Sequence, residues 1–282
     1  MSYKNLTILI TSFHSGNKII PCLDSINPNV KVLIIENSSD KNFKDKIEQK
    51  YLNSECILAG ENLGYAKGNN FGLSKIKTRY ALILNPDAIL DKMCIDNFLE
   101  CAKKKPDFAI MAPMAQENDN INFKQIDINY DFKEVDYVKG YAMFLNLSKF
   151  KDVGFFDENF FIYFEEIDLC KRVKAYKKKI LLNSSIRIFH EGGSSHDSEV
   201  NQEMELSRNW HWMWSSFYYH KKHNSYLIAL IKLSPKFLTS IFKIIVYFLI
   251  FNKNKRQVYF HRFSGLFNSI LGKRSWYRPK ID

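Results

Sequence analysis

No C-x-x-C pair occurs anywhere in the 282 residues, and five cysteines are an odd number for a disulfide frame. Cys22, Cys56, Cys94, Cys101 and Cys170 are irregularly spaced, which argues for reduced thiols and against a zinc site. The opening residues, MSYKNLTILITSF, carry no basic region leading into a long apolar run. No secretory signal is expected from them, and the chain reads as cytosolic. Neither G-x-x-x-x-G-K-[ST] nor G-x-G-x-x-G is present, so an ATPase loop and a dinucleotide loop both lack support. Internal repeats and low-complexity segments are missing too. The last absence is of one charge sign. From Leu206 onward there are 14 Lys and Arg, and Asp282 is the sole acid. The residues before it balance 27 basic against 29 acidic, so the tail carries the whole net charge of +11. Such a tail calls for an anionic partner: nucleic acid, a membrane surface or phosphorylated lipid. No recognised nucleic-acid-binding module accompanies it, which leaves nucleic acid the least supported of the three.

What is present is a foldable α/β pattern. An apolar fraction of 46% argues against disorder, and the length suffices for a large core. Leu6–Ile10, Val30–Ile35, Cys56–Ala59 and Tyr80–Leu84 read as strands. Between and after them, Lys18–Ile26, Phe43–Leu52, Tyr65–Ile76 and Met93–Lys104 have helical character. This alternation predicts parallel β-α-β units in a doubly wound sheet, with ligands bound beyond the carboxyl ends of the strands. Each of the four strands delivers a polar cluster there: Thr11-Ser12, Glu36-Asn37, Gly60-Glu61-Asn62 and Asn85-Pro86-Asp87. Residues 107–128 are irregular and resist assignment. Tyr137–Leu147 and Lys179–Phe189 read as further strands, and the chain turns helical from Glu199. The expected division is a catalytic domain over 1–198 and a basic, aromatic-rich helical region over 199–282. Within the latter, FLTSIFKIIVYFLIF (Phe237–Phe251) is shorter than the roughly 20 residues a membrane span needs. Its basic flanks suit a helix lying in the headgroup layer, and a buried C-terminal helix is the plainer alternative.

Four stretches carry chemistry. In LILNPDA, Asp87 follows a strand and a proline, which leaves its carboxylate at the sheet edge as a hard oxygen ligand or as an ordinary turn and cap residue. In AGENLGYAKGNNFGL, glycines recur at 60, 64 and 68, so that backbone can approach a ligand and the Asn amides can bond a nucleotide. IRIFHEGGSS puts His190 at a strand end, where imidazole and carboxylate together suit Mn²⁺ or Mg²⁺. A lone histidine is as readily structural. FIYFEEIDL places Glu165, Glu166 and Asp168 behind aromatics. Acids at a helix start suit its dipole, and Asp168 is spaced to pair with Arg172. An aromatic wall beside one glutamate would also raise its pKa and fit it for base work.

Taken in order, TSF, IIENSSD, NLGYAKGNN, LILNPDA, GFFDENFFIYFEEIDLCKR and FHEGGSS resemble the inverting, nucleotide-sugar-dependent glycosyltransferases of family 2. The subgroup most resembled is the rhamnosyltransferase-like set that builds bacterial surface polysaccharides. The resemblance implies the GT-A fold, a Rossmann-like, mostly parallel sheet flanked by helices. It implies that Thr11, Ser12, Glu36 and Asn37 line the base and ribose pocket, and that Asn62, Gly64, Lys67, Asn69 and Asn85 support the nucleoside and diphosphate. Asp87 takes the last position of the family's D-x-D, with Asn85 in place of the first acid, and His190 a further metal position. The implied cofactor is Mn²⁺ or Mg²⁺. Glu166 falls on the general base of the family's E-D-x-D, flanked by Glu165 and Asp168, with Asp157 in a supporting role. Implied partners are a nucleotide sugar, dTDP-rhamnose-like among the candidates, and a lipid-linked glycan acceptor at the inner face of an anionic membrane. A catalytically silent nucleotide-sugar-binding protein on the same fold is the alternative.

Overall fold

The computed structural model describes residues 3–114, 131–190 and 195–281. The chain forms two compact units: Met1–Phe156 with Glu166–Asp197, and Asp157–Glu165 with Ser198–Asp282.

In the first unit the chain runs β1 (Leu6–Ser12), α1 (Ile19–Asp24), β2 (Lys31–Glu36), α2 (Lys41–Lys50), β3 (Ser54–Leu58), α3 (Gly64–Lys75) and β4 (Tyr80–Leu84). It continues through β5 (Ala88–Leu90), α4 (Cys94–Lys104), β6 (Phe108–Pro113), β7 (Phe132–Glu134), β8 (Ala142–Asn146), α5 (Glu165–Ala175), β9 (Lys179–Asn183) and β10 (Ile188–His190). The main sheet has the order β3-β2-β1-β4-β8-β6-β9-β7. Its first four strands are mutually parallel, as the β-α alternation predicts. Beyond them β8 runs antiparallel to both β4 and β6, while β6 and β9 pair in parallel.

β4 and β8 are buried at every residue, which is why β4 reads as an unbroken apolar run and β8 is apolar up to Asn146. Tyr80, Phe144 and Phe108 stack in the core at 5.1 and 5.5 Å between successive ring centroids, and Phe98 joins Phe144 at 4.8 Å. All five cysteines are free and buried. Burial pushes the Cys56 and Cys170 thiols up to about 12, so both stay protonated and inert.

The strand expected over Lys179–Phe189 is two strands. Asn183 Oδ1 accepts from the Ser185 backbone N–H at 2.9 Å, an Asx turn that ends β9. The chain then re-enters as β10 against β5, with His190 opposite Ala88. A turn between two apolar runs thereby brings a histidine beside Asp87.

In the second unit α6 (Asn201–His223), α7 (Tyr226–Leu249) and α8 (Lys253–Ile270) pack together. The crowded aromatics of α6 divide by face: Trp210, Met213, Trp214 and Phe217 are buried, while Trp212 is exposed. Helices α6 and α8 approach closely at Gly265, where a Cβ would lie 2.1 Å from the Trp210 carbonyl oxygen. The extended C-terminal segment lies along these helices. Trp214 Nε1 donates to Lys273 O at 3.0 Å, and His211 Nε2 meets Tyr277 O at 3.0 Å.

The aromatic segment Asp157–Glu165 belongs to this unit and is gripped by α6. Lys222 Nζ and Tyr218 Oη reach Asp157 Oδ2 at 2.7 and 3.0 Å, and Ser215 Oγ donates to Ile162 O at 2.9 Å. Phe161 stacks on His211 at 4.5 Å and lies 3.8 Å beneath the Arg278 guanidinium. Tyr163 and Phe164 both have φ of 70°, a left-handed backbone that bulky residues rarely adopt.

Candidate active site

β1 and β2 are in register with Ser12 opposite Glu36, and Asn37 N–H donates to Ser12 O at 2.8 Å. The polar residues following the two strands therefore stand side by side. Four buried oxygens here have no hydrogen-bond partner: Thr11 Oγ1, Ser12 Oγ, Asn37 Oδ1 and Asn69 Oδ1. An unsatisfied buried polar group is costly, and bound water or a polar ligand is what ordinarily meets the deficit.

The neighbouring groups are already engaged. Glu36 Oε2 accepts from Asp40 N–H at 2.8 Å, and its Oε1 accepts from Ser38 N–H at 3.0 Å. Its carboxylate thus shapes the turn after β2. Asn62 Oδ1 accepts from Gly64 N–H at 3.1 Å, and Lys67 pairs with Glu61 at 3.1 Å on the surface. A Cβ at Gly68 would lie 2.8 Å from Thr11 Cγ2, so this glycine lets α3 settle on β1. Close approach to a ligand, the reason expected from the spacing, is not what occupies it.

After β4 the chain turns sharply, with Ala88 N–H donating to Asn85 O at 3.1 Å. Asp87 is buried. Its Oδ1 lies 3.4 Å from His190 Nε2 and accepts from Ser195 Oγ at 2.7 Å, while its Oδ2 has no partner. Burial pushes its carboxyl up, but the hydrogen bond and charge of His190, with Ser195, hold it below the usual range. Asn85 Nδ2 is 3.3 Å from His190 Nε2. Tyr141 stacks flat on the His190 ring at 4.4 Å and fixes its plane.

Among the described residues no three His, Cys, Asp or Glu converge on a metal site. The protein therefore offers a carboxylate and an imidazole. A carboxylate and an imidazole are donors that a hard divalent cation accepts, and Asp87 Oδ2 is without a hydrogen-bond partner. The Glu191 to Ser194 part of the FHEGGSS stretch lies outside the described residues, as do 115–130, which include the latter part of the segment that resists assignment.

At the start of α5, Glu165 is buried and Glu166 half-buried. Burial raises the Glu166 carboxyl above the ordinary range, against the pull of the Glu166 and Ile167 backbone N–H groups. Its Oε2 has no partner. A Cβ at Gly140 would lie 3.5 Å from both Glu166 Cβ and Tyr65 Oη, and Tyr65 Oη donates to Gly140 O. Gly140 and Tyr141 are consecutive, so this short stretch touches Glu166 on one side and His190 on the other. Asp168 is fully buried and bonded to Arg172 Nε at 2.8 Å. Arg172 also donates to Val153 O and Phe155 O, which makes Asp168 an internal anchor.

Sequence reasoning assigned no role to Gly140, Tyr141 or Ser195. Ser195 lay within a quoted motif. Tyr141 carried no local signal, because its partner is 49 residues away along the chain.

The sequence profile of "Glycosyl transferase family 2" matches residues 7–181. The chain is 26% identical to the low-salt glycan biosynthesis hexosyltransferase Agl10 of Haloferax volcanii, over 60% of this chain and 62% of that protein. It thus spans less than two thirds of that relative. It is 22% identical to an N-acetylglucosaminyl-diphospho-decaprenol L-rhamnosyltransferase of Mycobacterium tuberculosis, over 59% of this chain and 68% of that one. A solved structure, the mannosyltransferase PcManGT of Pyrobaculum calidifontis with GDP-Man and Mn²⁺, superposes with a TM-score of 0.59. That match covers 96% of this chain and 88% of the other at 10% identity, and shows a shared GT-A fold.

Proposed function

Because the chain belongs to glycosyl transferase family 2, we propose that it is an inverting glycosyltransferase moving a sugar from a nucleoside-diphosphate sugar to a glycan hydroxyl. The observation that carries this reading is the Asp87–His190 pair at 3.4 Å, with Tyr141 stacked on His190 and the adjacent Gly140 packed against Glu166.

Thr11, Ser12, Asn37 and Asn69 present unpartnered oxygens suited to hydroxyl and N–H donors of a nucleoside. Asp87 and His190 would hold a divalent cation, Mn²⁺ or Mg²⁺. Bound there, the cation would neutralise charge growing on the departing diphosphate. Tyr141 keeps His190 in plane, and Ser195 holds Asp87 in its rotamer. Glu166 accepts the proton of the acceptor hydroxyl as that oxygen attacks the anomeric carbon. The nucleoside diphosphate leaves from the opposite face, so the configuration inverts. Burial raises the Glu166 pKa, and a higher pKa makes its carboxylate a stronger base than that of a solvent-exposed glutamate.

The mycobacterial relative's name specifies a decaprenol-linked acceptor. Together with the basic tail, in which Asp282 is the sole acid, this supports a lipid-linked glycan as acceptor and an enzyme peripheral at an anionic membrane face. No helix among the described residues is long and apolar enough to cross a membrane.

A thermal-shift screen of nucleotide sugars with and without Mn²⁺, followed by transfer assays with Glu166→Gln, tests the reading. One donor should stabilise both proteins, and only the native chain should transfer. Full transfer by the variant would overturn the assignment of Glu166.

A further inference from the structure

Helix α7 presents apolar side chains on two opposite faces. At about 100° per residue, Leu227, Ile231, Leu238, Phe242, Ile245 and Leu249 fall within about 60° of one another. All six are exposed, from 54% to 66%. Ala229, Leu233 and Ser240 lie on the opposite side and are buried in the second unit. A helix of a water-bathed protein would put polar residues where α7 puts its outer stripe. So large a continuous apolar face marks an interaction surface.

The charges identify the partner. Lys232, Lys236 and Lys243 recur on one flank of the outer stripe, about 110–150° from its centre, where long stems can lift their ammonium groups out of an apolar layer. After α7 the chain turns at Phe251, which is 92% exposed, and α8 begins at once with Lys253, Lys255 and Arg256. Arg256 lies 5.6 Å over the Phe248 ring, and Lys255 5.6 Å over Tyr247. From Leu206 to Ile281 the chain holds 14 basic residues and no acid. A protein partner of mixed charge would not need that exclusion. A surface that is apolar a few ångströms down and uniformly anionic on top would.

We propose that the outer face of α7, with the Phe251 turn, inserts into the headgroup layer of an anionic bilayer, held there by the surrounding lysines and arginines. The inference rests on the membrane-peripheral reading given above, and names the surface that carries it out. α7 lies along the membrane plane. Its inner face remains packed against α6 and α8, so docking needs no unfolding.

The test is co-sedimentation of the full chain with vesicles of equal parts phosphatidylcholine and phosphatidylglycerol, and with phosphatidylcholine alone. Binding should be at least about tenfold tighter to the anionic vesicles. The double variant Phe242→Asp/Ile245→Asp should lose about tenfold or more, with an unchanged melting temperature and unchanged transfer to a soluble acceptor. Glu substitutions at Lys253, Lys255 and Arg256 should weaken binding to anionic vesicles only. Equal binding to both vesicle types, or anionic binding untouched by the double variant, would overturn the proposal. So would a stable dimer in solution, dissociated by the double variant, in a chain that ignores vesicles. If the chain binds vesicles as described but transfers no sugar to any acceptor, the docking surface stands and the enzymatic reading falls.

Discussion

Trp212 meets Tyr163 edge-on, with 5.2 Å between ring centroids, and so braces a residue whose φ is 70°. The same indole packs at 5.3 Å on Phe164, also at φ 70°. Two consecutive left-handed aromatic residues cost on the order of 1–2 kcal/mol each. This turn immediately precedes Glu165 and Glu166. Trp212→Ala should let the turn relax, lowering kcat about tenfold or more with little change in KM for the donor. Trp212→Phe should recover most of the loss. Steady-state kinetics at saturating donor checks this; an unchanged kcat would show that the turn holds its shape without the indole.

Glu166 gives a paired prediction of activity and stability. Glu166→Gln should lower kcat by about 10²–10⁴-fold. Because burial raises the folded-state pKa above the unfolded one, the protonated form is favoured by folding. Stability is therefore lost as pH rises from the ordinary carboxylate range through the raised value. The variant, which has no charge to bury, should melt higher than the native protein at pH 8 and level with it near pH 4. Calorimetry at the two pH values separates this from a general change in packing.

Buried His211 titrates in the opposite sense. Burial lowers its pKa to about 3, and the Arg278 charge adds to the effect. Its neutral ring donates from Nε2 to Tyr277 O and accepts from Ser275 Oγ at 3.0 Å on Nδ1, an assignment set by those partners. The unfolded histidine binds a proton below about 6.5, so stability falls with pH from there towards the folded value. The group contributes up to about 1.4 kcal/mol per pH unit in that window. His211→Asn should flatten the curve of melting temperature against pH between about 6.5 and 4 relative to the native protein.

Asp87→Asn tests the cation pair. In the native protein Mn²⁺ and a nucleoside diphosphate together should raise the melting temperature more than the sum of their separate effects. The variant keeps the volume and the Ser195 contact but not the charge, and that synergy should vanish. Retained synergy would move the cation elsewhere.

How far the sequence could be read depended on the range of the interactions involved. The parallel strands β1 to β4 were legible because apolar runs alternate with helical stretches over short distances. So was the Asp168–Arg172 pair, four residues apart on one helix. Asp87 and His190 could be proposed singly, but their approach depends on β10 pairing with β5 about a hundred residues earlier. The break after Asn183 was missed because apolar residues on both sides hid a short polar turn. Glu36 was expected at a ligand; that its carboxylate caps the turn after β2 is a bond that strand patterning does not encode. The left-handed pair at Tyr163 and Phe164 had no signal, since neither residue favours that conformation and only packing against α6 enforces it.

The five buried thiols have a practical consequence. Cys22, Cys56, Cys94, Cys101 and Cys170 all fall in the first unit, and the second has none. A thiol-reactive dye applied to the folded protein is therefore an unlabelled-site clock for one unit alone. Its uptake counts openings of the first unit and stays silent when the helical unit loosens. Comparing that rate with tryptophan emission reports each unit separately, because all four tryptophans lie in the second.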